Sequence, residues 1–443
     1  MTNQSSSKYQ TLLSMSIIGI LFFIFGFVTW LNGSLIPFLQ VICQLTEFQA
    51  LFVTFAFYIA YTFMAFPMSI ILRKTGYKNG MSIGLAIMAA GALLHIPAAM
   101  SANYLFFLIA LFVLATGLTI LQTASNPYIV YLGPVKSAAM RISIMGIINK
   151  SAGVIVPIVF TAIVLSDMGD ISRDHVSSLG ANELSQLTND LSNKLIAPYL
   201  AMAFVLAAMI ALVKFSPLPE IDIEESEEEK ATAKSSVLQY PQVVLGALTL
   251  FAYVGVEVIA GDTIGLYGAN LNVTNFAGLT SYTMFFMVIG YSIGVVCIPK
   301  FLSQEKALIG SAIAGSLCIL GVVTSSETST TIADFLWGWS GFQVLPDPIT
   351  FVALMGLAHA LVWPAVWPLA LNGLGKFTAQ GSALLIMGIS GGAILPLIFG
   401  KISFSMDSMQ IAYLVGLPCY LFILFYALLG HKIRDWQQLL PKK

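Results

Sequence analysis

The feature that most constrains this chain is a succession of twelve long apolar runs separated by polar turns. They lie near residues 12–41, 48–72, 80–99, 104–132, 140–166, 195–213, 241–268, 276–299, 305–323, 350–374, 379–402 and 408–430. A helix needs about 20 apolar residues to cross the hydrocarbon of a bilayer. Within that layer backbone amides must be satisfied internally, by helices or by closed barrels. Barrel strands would alternate over about ten residues, whereas these runs are continuous, so the pattern predicts an all-α polytopic membrane protein with twelve transmembrane helices. Composition agrees: of 443 residues, 58% are hydrophobic and 9% charged, against roughly 25% charged in ordinary globular chains. A soluble enzyme, a nucleic-acid binder and a disordered scaffold are excluded on that ground. The net charge of −1 also gives no polybasic surface for nucleic acid.

Basic residues set the orientation, because cytoplasmic loops retain Lys and Arg. Counted over alternate connections, sixteen of the twenty Lys and Arg fall on the side of the two tails, among them Arg73, Lys74, Lys78, Lys136, Arg141 and Lys214. Only Arg173, Lys194 and Lys401 fall opposite, and Lys150 lies within a span. Both termini are therefore expected in the cytoplasm. The polar start, Met1 to Lys8, precedes an apolar run with no small-residue cleavage site, which reads as a retained first span. Cys43, Cys297, Cys318 and Cys419 show no paired spacing and read as packing residues.

Residues 215–240 break the pattern with an acidic run that includes Glu220, Asp222, Glu224 and Glu225. Like charges in a block are usually solvated, so this segment reads as a cytoplasmic linker between two six-helix bundles, 1–214 and 241–443. The halves echo each other: Gly153-Val-Ile-Val-Pro157-Ile-Val-Phe160 in span five matches Gly392-Ala-Ile-Leu-Pro396-Leu-Ile-Phe399 in span eleven. Spans six apart cross in the same sense, so the repeat is parallel. That is one of the known transporter plans, with the substrate site near the midplane between the halves.

Three ionisable residues fall well inside spans: Lys150, Glu257 and Asp262. Such groups cost roughly 2.5–3.5 kcal/mol on insertion scales unless they face a cavity or a partner. At 1.5 Å per residue, Lys150 sits about 15–20 Å and Glu257 about 24 Å from the cytoplasmic face, depths compatible with one central cavity. The bland readings are a Lys150 stem snorkelling to the interface and a Glu257 carboxyl bonded for packing. Asp262 is nearer the outer face and is expected at the interface. Asn32-Gly33-Ser34 followed by Pro37 is expected to weaken the first span. Gln122-Thr-Ala-Ser-Asn126-Pro127 in span four and Asn149 in span five supply amides that need partners, either neighbouring helices or sugar hydroxyls. Trp363 and Trp367, four apart, share a helix face; such rings stack on a pyranose, or face lipid. Tyr58 and Tyr61 in span two give a weaker aromatic signal. His95 and His359 have no carboxylate at ligand spacing, so neither metal nor cofactor is expected.

These residues resemble the fucose–galactose–glucose:proton symporter family of the major facilitator superfamily, along nearly the whole chain from about Leu21 to Tyr426. The resemblance rests on Leu31-Asn32 with Leu35-Ile36-Pro37, Phe48-Gln49-Ala50, Gly117-Leu118 through Gln122-Thr-Ala-Ser-Asn-Pro127, Tyr253-Val-Gly-Val-Glu257, Trp363-Pro364, and Gly381-Ser382 through Gly391-Gly392. The turn Arg73-Lys-Thr-Gly-Tyr-Lys78 is similar to the superfamily's loop between spans two and three, whose basic residues gate the inner side. In two places the chain departs from the family's fucose carriers. They have an Asp after the Asn of span one, where Gly33 stands here, and a Glu where Gln122 stands here. Lys150 also occupies a position where a small polar residue is usual.

The resemblance implies a twelve-helix major facilitator fold and import of a neutral monosaccharide, a glucose- or galactose-like hexose or an N-acetylhexosamine. Asn32, Gln122, Asn126 and Asn149 are expected to bind hydroxyls, and Trp363 to stack on the ring. Glu257 is expected to couple transport to H⁺ or Na⁺, with Lys150 as its partner. The chain is expected to act as a monomer in the bilayer of a plasma membrane, the bacterial inner membrane. A passive uniporter, a multidrug or metabolite antiporter on the same fold, and an enzyme are the rival readings. The amide-rich span four weighs against the antiporter, and no nucleophile–base set appears in the spans for the enzyme.

Overall fold

A computed structural model describes residues 8–131, 138–164, 180–218, 236–298, 301–374 and 377–439. All regular elements among them are helical. Twelve stretches are long and apolar enough to span a membrane: α1 (Leu12–Gln40), α2 (Glu47–Leu72), α3 (Lys74–Ser101), α4 (Tyr104–Asn126), α5 (Met140–Val164), α6 (Gln186–Phe215), α7 (Pro241–Asp262), α8 (Phe276–Cys297), α9 (Gln304–Thr324), α10 (Asp347–Leu371), α11 (Gln380–Met406) and α12 (Met409–Lys432). Their positions follow the apolar runs of the sequence. The acidic run, 220–229, lies outside the described residues, as do Lys136 and Arg173. Twelve crossings return the chain to the face on which it began, so both described ends lie at one end of the bundle, the terminal end. The opposite one is the remote end.

Packing repeats between the halves. In the first, α1 lies on α5, Tyr61 of α2 meets Gln122 of α4, α3 glycines abut α4, and His95 of α3 stacks on Tyr199 of α6. Six helices on, α7 packs on α11, α8 on α10, α9 on α10 and α9 on α12. Two seams join the halves, α5 against α8 and α2 against α11, and each is the other's image under the same shift. The duplicated motif explains the seams. A Cβ at Gly153 would lie 2.8 Å from Trp30 of α1 and from Met284 of α8; one at Gly392 would lie 2.9 Å from Val258 of α7 and from Tyr58 of α2. Each glycine thus sits where three helices from both halves converge, in corresponding places.

Two local expectations meet a different outcome. The first helix runs unbroken from Lys8 to Ile42, so Asn32-Gly33-Ser34 does not interrupt it. Gly33 serves close approach instead: a Cβ there would fall on Thr280 Oγ1 and 3.0 Å from the Gly261 carbonyl, while Ser34 Oγ bonds Ala277 O at 2.7 Å. The tenth apolar run, by contrast, is two helices, Asp347–His359 and Val362–Leu371. Pro364 has no N–H for the carbonyl of Ala360 and its ring crowds that carbonyl, which breaks the helix one turn upstream.

The halves meet at the remote end. There Ser34 bonds Ala277, Thr54 bonds Asp262 at 3.2 Å, and a Cβ on Gly400 of α11 would meet Leu51 of α2. At the terminal end Lys78 bonds Ser216 O at 2.6 Å and Arg434 bonds Asn372 O at 2.8 Å, each within one half.

Backbone contact between α7 and α11 depends on Gly391, where a Cβ would overlap the Phe251 carbonyl. Replacing it with valine forces these helices apart and costs about 1–3 kcal/mol, as overpacking does. Gly391→Val should lower the thermal midpoint of the purified protein in detergent; an unchanged midpoint contradicts this packing.

Candidate functional site

Between the halves lies a cavity of about 790 Å³ including its open mouth, lined from eight helices: α1, α2, α4, α5, α7, α8, α10 and, through Ile389, α11. Its lining reaches Asn126, at the last residue of α4, and Ile142, in the first turn of α5, both near the terminal end. At its deeper end stand Trp30, Tyr58 and Glu257.

The charged floor is built from two halves. Lys150 Nζ of α5 donates to Glu257 Oε1 of α7 at 2.7 Å, with both side chains under a tenth exposed. Two opposite charges in the membrane interior neutralise each other, which keeps the pair tolerable there. Lys150 Nζ also lies 4.1 Å from the centre of the Trp30 ring, a cation–π contact that suits a desolvated ammonium. Trp30 is clamped in turn: a Cβ on Gly153 or Gly261 would press into its ring, and its Nε1 donates to Asn149 Oδ1 at 3.5 Å. Asn149 Nδ2 donates to Phe22 O at 3.1 Å. Around Glu257 stand the phenols of Tyr253 and Tyr291.

The amide wall comes from α4. Gln122 Nε2 donates to Tyr61 OH at 2.9 Å, and Asn126 Nδ2 donates back to Gln122 O at 3.0 Å. Opposite, Trp363 lines the cavity, with its ring 6.4 Å from Tyr253 and 5.5 Å from Trp367. One wall therefore offers amides and the other flat aromatic faces, around a floor whose two charges cancel. Such a lining suits an uncharged ligand with both hydroxyls and an apolar face.

Of the residues marked in the sequence, Gln122, Asn126, Asn149, Lys150, Glu257 and Trp363 line this one cavity. Asn32 does not. It is 1% exposed, and its Nδ2 has no hydrogen-bond partner. Asp262, expected at the interface, is fully buried instead. Depth counted along one helix gives no hint that the other half closes over its end, and here α1 and α2 do so. His359 of α10 bonds Tyr420 OH of α12 at 2.6 Å. Of the gating loop, Lys74 is exposed and Lys78 bonds the end of α6; the Arg73 side chain lies outside the described residues. Trp30, Thr29, Tyr253 and Tyr291 line the cavity without having been marked, because an aromatic or hydroxyl residue in an apolar run carries no signal of which way it faces. Among the described residues no group of His, Cys, Asp and Glu could hold a metal ion.

Comparison with known proteins agrees with this architecture. The model of the family described as Major Facilitator Superfamily matches residues 18–396. The chain is 32% identical over 436 residues to a glucose/galactose transporter of Brucella abortus, covering 97% of each chain. It is 29% identical over 416 residues to the L-fucose-proton symporter of Escherichia coli, covering 92% of this chain and 90% of the other. Among solved structures, the transporter FucP in its outward conformation superposes with a TM-score of 0.72 at 25% identity, covering 94% of this chain and 98% of that one. The proton:xylose symporter XylE shares the fold, with a TM-score of 0.63 at 14% identity, covering 95% and 96%.

The ion pair makes a prediction about stability. Lys150→Met leaves Glu257 buried without its cation, a loss of about 3–5 kcal/mol, whereas replacing both partners with apolar residues restores much of it. In a thermal-unfolding cycle, Lys150→Met with Glu257→Leu should be more stable than Lys150→Met alone. Additive losses would contradict a coupled pair.

Proposed function

The chain belongs to the major facilitator superfamily, and from that premise we propose that it imports a neutral monosaccharide, glucose- or galactose-like or an N-acetylhexosamine, coupled to H⁺ or Na⁺ by alternating access. It is a multi-pass plasma-membrane protein and not an enzyme. In this reading, bundles 1–214 and 241–443 rock about the α5–α8 and α2–α11 seams, the linker 215–240 and both tails face the cytoplasm, and the monomer is the working unit.

The observation that carries the reading is the Lys150–Glu257 pair at the floor of a cavity with amides on one wall and indole on the other. Gln122, Asn126 and Asn149 take the sugar hydroxyls, and Trp363 takes the C–H face of the ring. Glu257 is the coupling group. Lys150 pairs with it until sugar arrives; a hydroxyl inserted into the pair loosens it, and the coupling cation then takes the place of Lys150 at the carboxylate. Cation and sugar therefore favour each other's binding, as linkage requires. The names of the relatives, a glucose/galactose transporter and an L-fucose-proton symporter, support the substrate class. The uncharged sum of the floor supports a neutral ligand over a lipophilic cation.

Radiolabelled sugar uptake into proteoliposomes, with pH and sodium gradients imposed separately, tests this. One gradient should drive accumulation, and Glu257→Gln should abolish that accumulation while sugar counterflow stays measurable. Accumulation by Glu257→Gln at the wild-type level removes the coupling role. Uptake by the wild type that only equilibrates under either gradient makes the protein a uniporter.

A further inference from the structure

The helix faces that line the cavity continue beyond it into the closed remote roof. Thr54 stands one turn before Tyr58 on α2, and Asp262 two turns after Val254 on α7; Tyr58 and Val254 both line the cavity. These helices belong to different halves, and Thr54 Oγ1 bonds Asp262 Oδ2 across the seam at 3.2 Å. Asp262 is 0% exposed, and its Oδ1 has no hydrogen-bond partner. On α1, Asn32 extends the face of Phe25 and Thr29 at helical spacing, also sealed and with its Nδ2 unpartnered.

Among the described residues no cation pairs with this acid as Lys150 pairs with Glu257. The charged and titratable groups acting on it are Glu257 on its own helix, Lys150 on α5, already bonded to Glu257, and Tyr58 on α2. The α8 face bonded to this end of α7 brings only hydroxyls, Thr280 to Gly261 O at 2.8 Å and Thr283 to Ala260 O at 3.1 Å. From α1 comes Gly33, abutting Gly261.

We propose that Asp262 is a second proton-binding site, distinct from the cavity ion pair, and that a proton on it latches the remote roof shut. An ionised carboxylate sealed against one hydroxyl is strongly disfavoured, whereas parting the halves admits water to hydrate it. The closed roof thus binds the proton more tightly than the open one, and by reciprocity the proton favours closure. Lowering the pH closes the roof; raising it removes the proton and favours opening. Because the proton is taken up and released at the same face, this site times the opening without adding to the ions carried with each sugar. The inference rests on the alternating-access reading above.

The test uses the full chain in proteoliposomes, its four cysteines replaced, with nitroxide labels on Leu105→Cys and Ser405→Cys, exposed positions at the remote ends of α4 and α11. Between about pH 5 and about pH 9 the wild-type distance should lengthen. Asp262→Asn, which mimics the protonated acid, should keep the short distance throughout, with sugar affinity within about twofold of wild type. Asp262→Ser, equally untitratable, gives the same reading if the Asn variant does not reconstitute. A wild-type roof that does not widen with pH, one that widens only with sodium at fixed pH, or an Asp262→Asn roof that widens alongside wild type overturns the proposal. Failure of the sugar reading shows separately, as wild-type protein that binds no sugar, and leaves the roof measurement intact.

Discussion

A lysine and a glutamate in the middle of a membrane protein must neutralise each other, and here each comes from a different half of the molecule. Lys150 belongs to α5 and Glu257 to α7, and they meet at 2.7 Å. Any motion that parts these helices must give each charge something in exchange. Water, a sugar hydroxyl or a small cation can do so; hydrocarbon cannot. In the proposed transport cycle the pair therefore ties the shape of the molecule to what occupies its cavity. This is the physical content of coupling: a ligand shifts a conformational equilibrium only as far as it prefers one state over the other.

The surrounding structure holds that pair in place. Trp30 fixes the ammonium from beneath, and Gly153 and Gly261 leave room for its ring. The two inter-half seams are images of one another, so rotation about them can open one end as it closes the other without breaking the packing inside each half. In the conformation described here, the Ser34–Ala277 and Thr54–Asp262 bonds join the halves at the remote end, and the cavity reaches toward the terminal end. In the proposed cycle Asp262 latches the roof and the Lys150–Glu257 pair clasps the floor.

Much of this was legible in the sequence because hydrocarbon imposes such strict demands. The twelve spans follow from run length alone, and the charge in the lipid layer singled out Lys150, Glu257 and Asp262. The duplicated Gly-to-Phe motif pointed to the repeat, and the structure adds that its glycines sit at equivalent three-helix junctions. What could not be read was orientation about each helix axis and contact between distant spans. Tyr253 and Tyr291 look like any aromatic residue in an apolar run, although they surround Glu257. Gly33 looked like a weak point and is a close-packing point, because the neighbour that needs the space, Thr280, lies far along the chain. Asp262 was expected near water for the same reason: the closure that buries it comes from the other half.

The central claim is that sugar and coupling cation meet at the Lys150–Glu257 pair. Equilibrium sugar affinity of the purified protein, measured over a range of pH at fixed sodium and of sodium at fixed pH, tests it most directly. The account predicts that affinity tightens as one of the two cations rises. An affinity indifferent to both would contradict it.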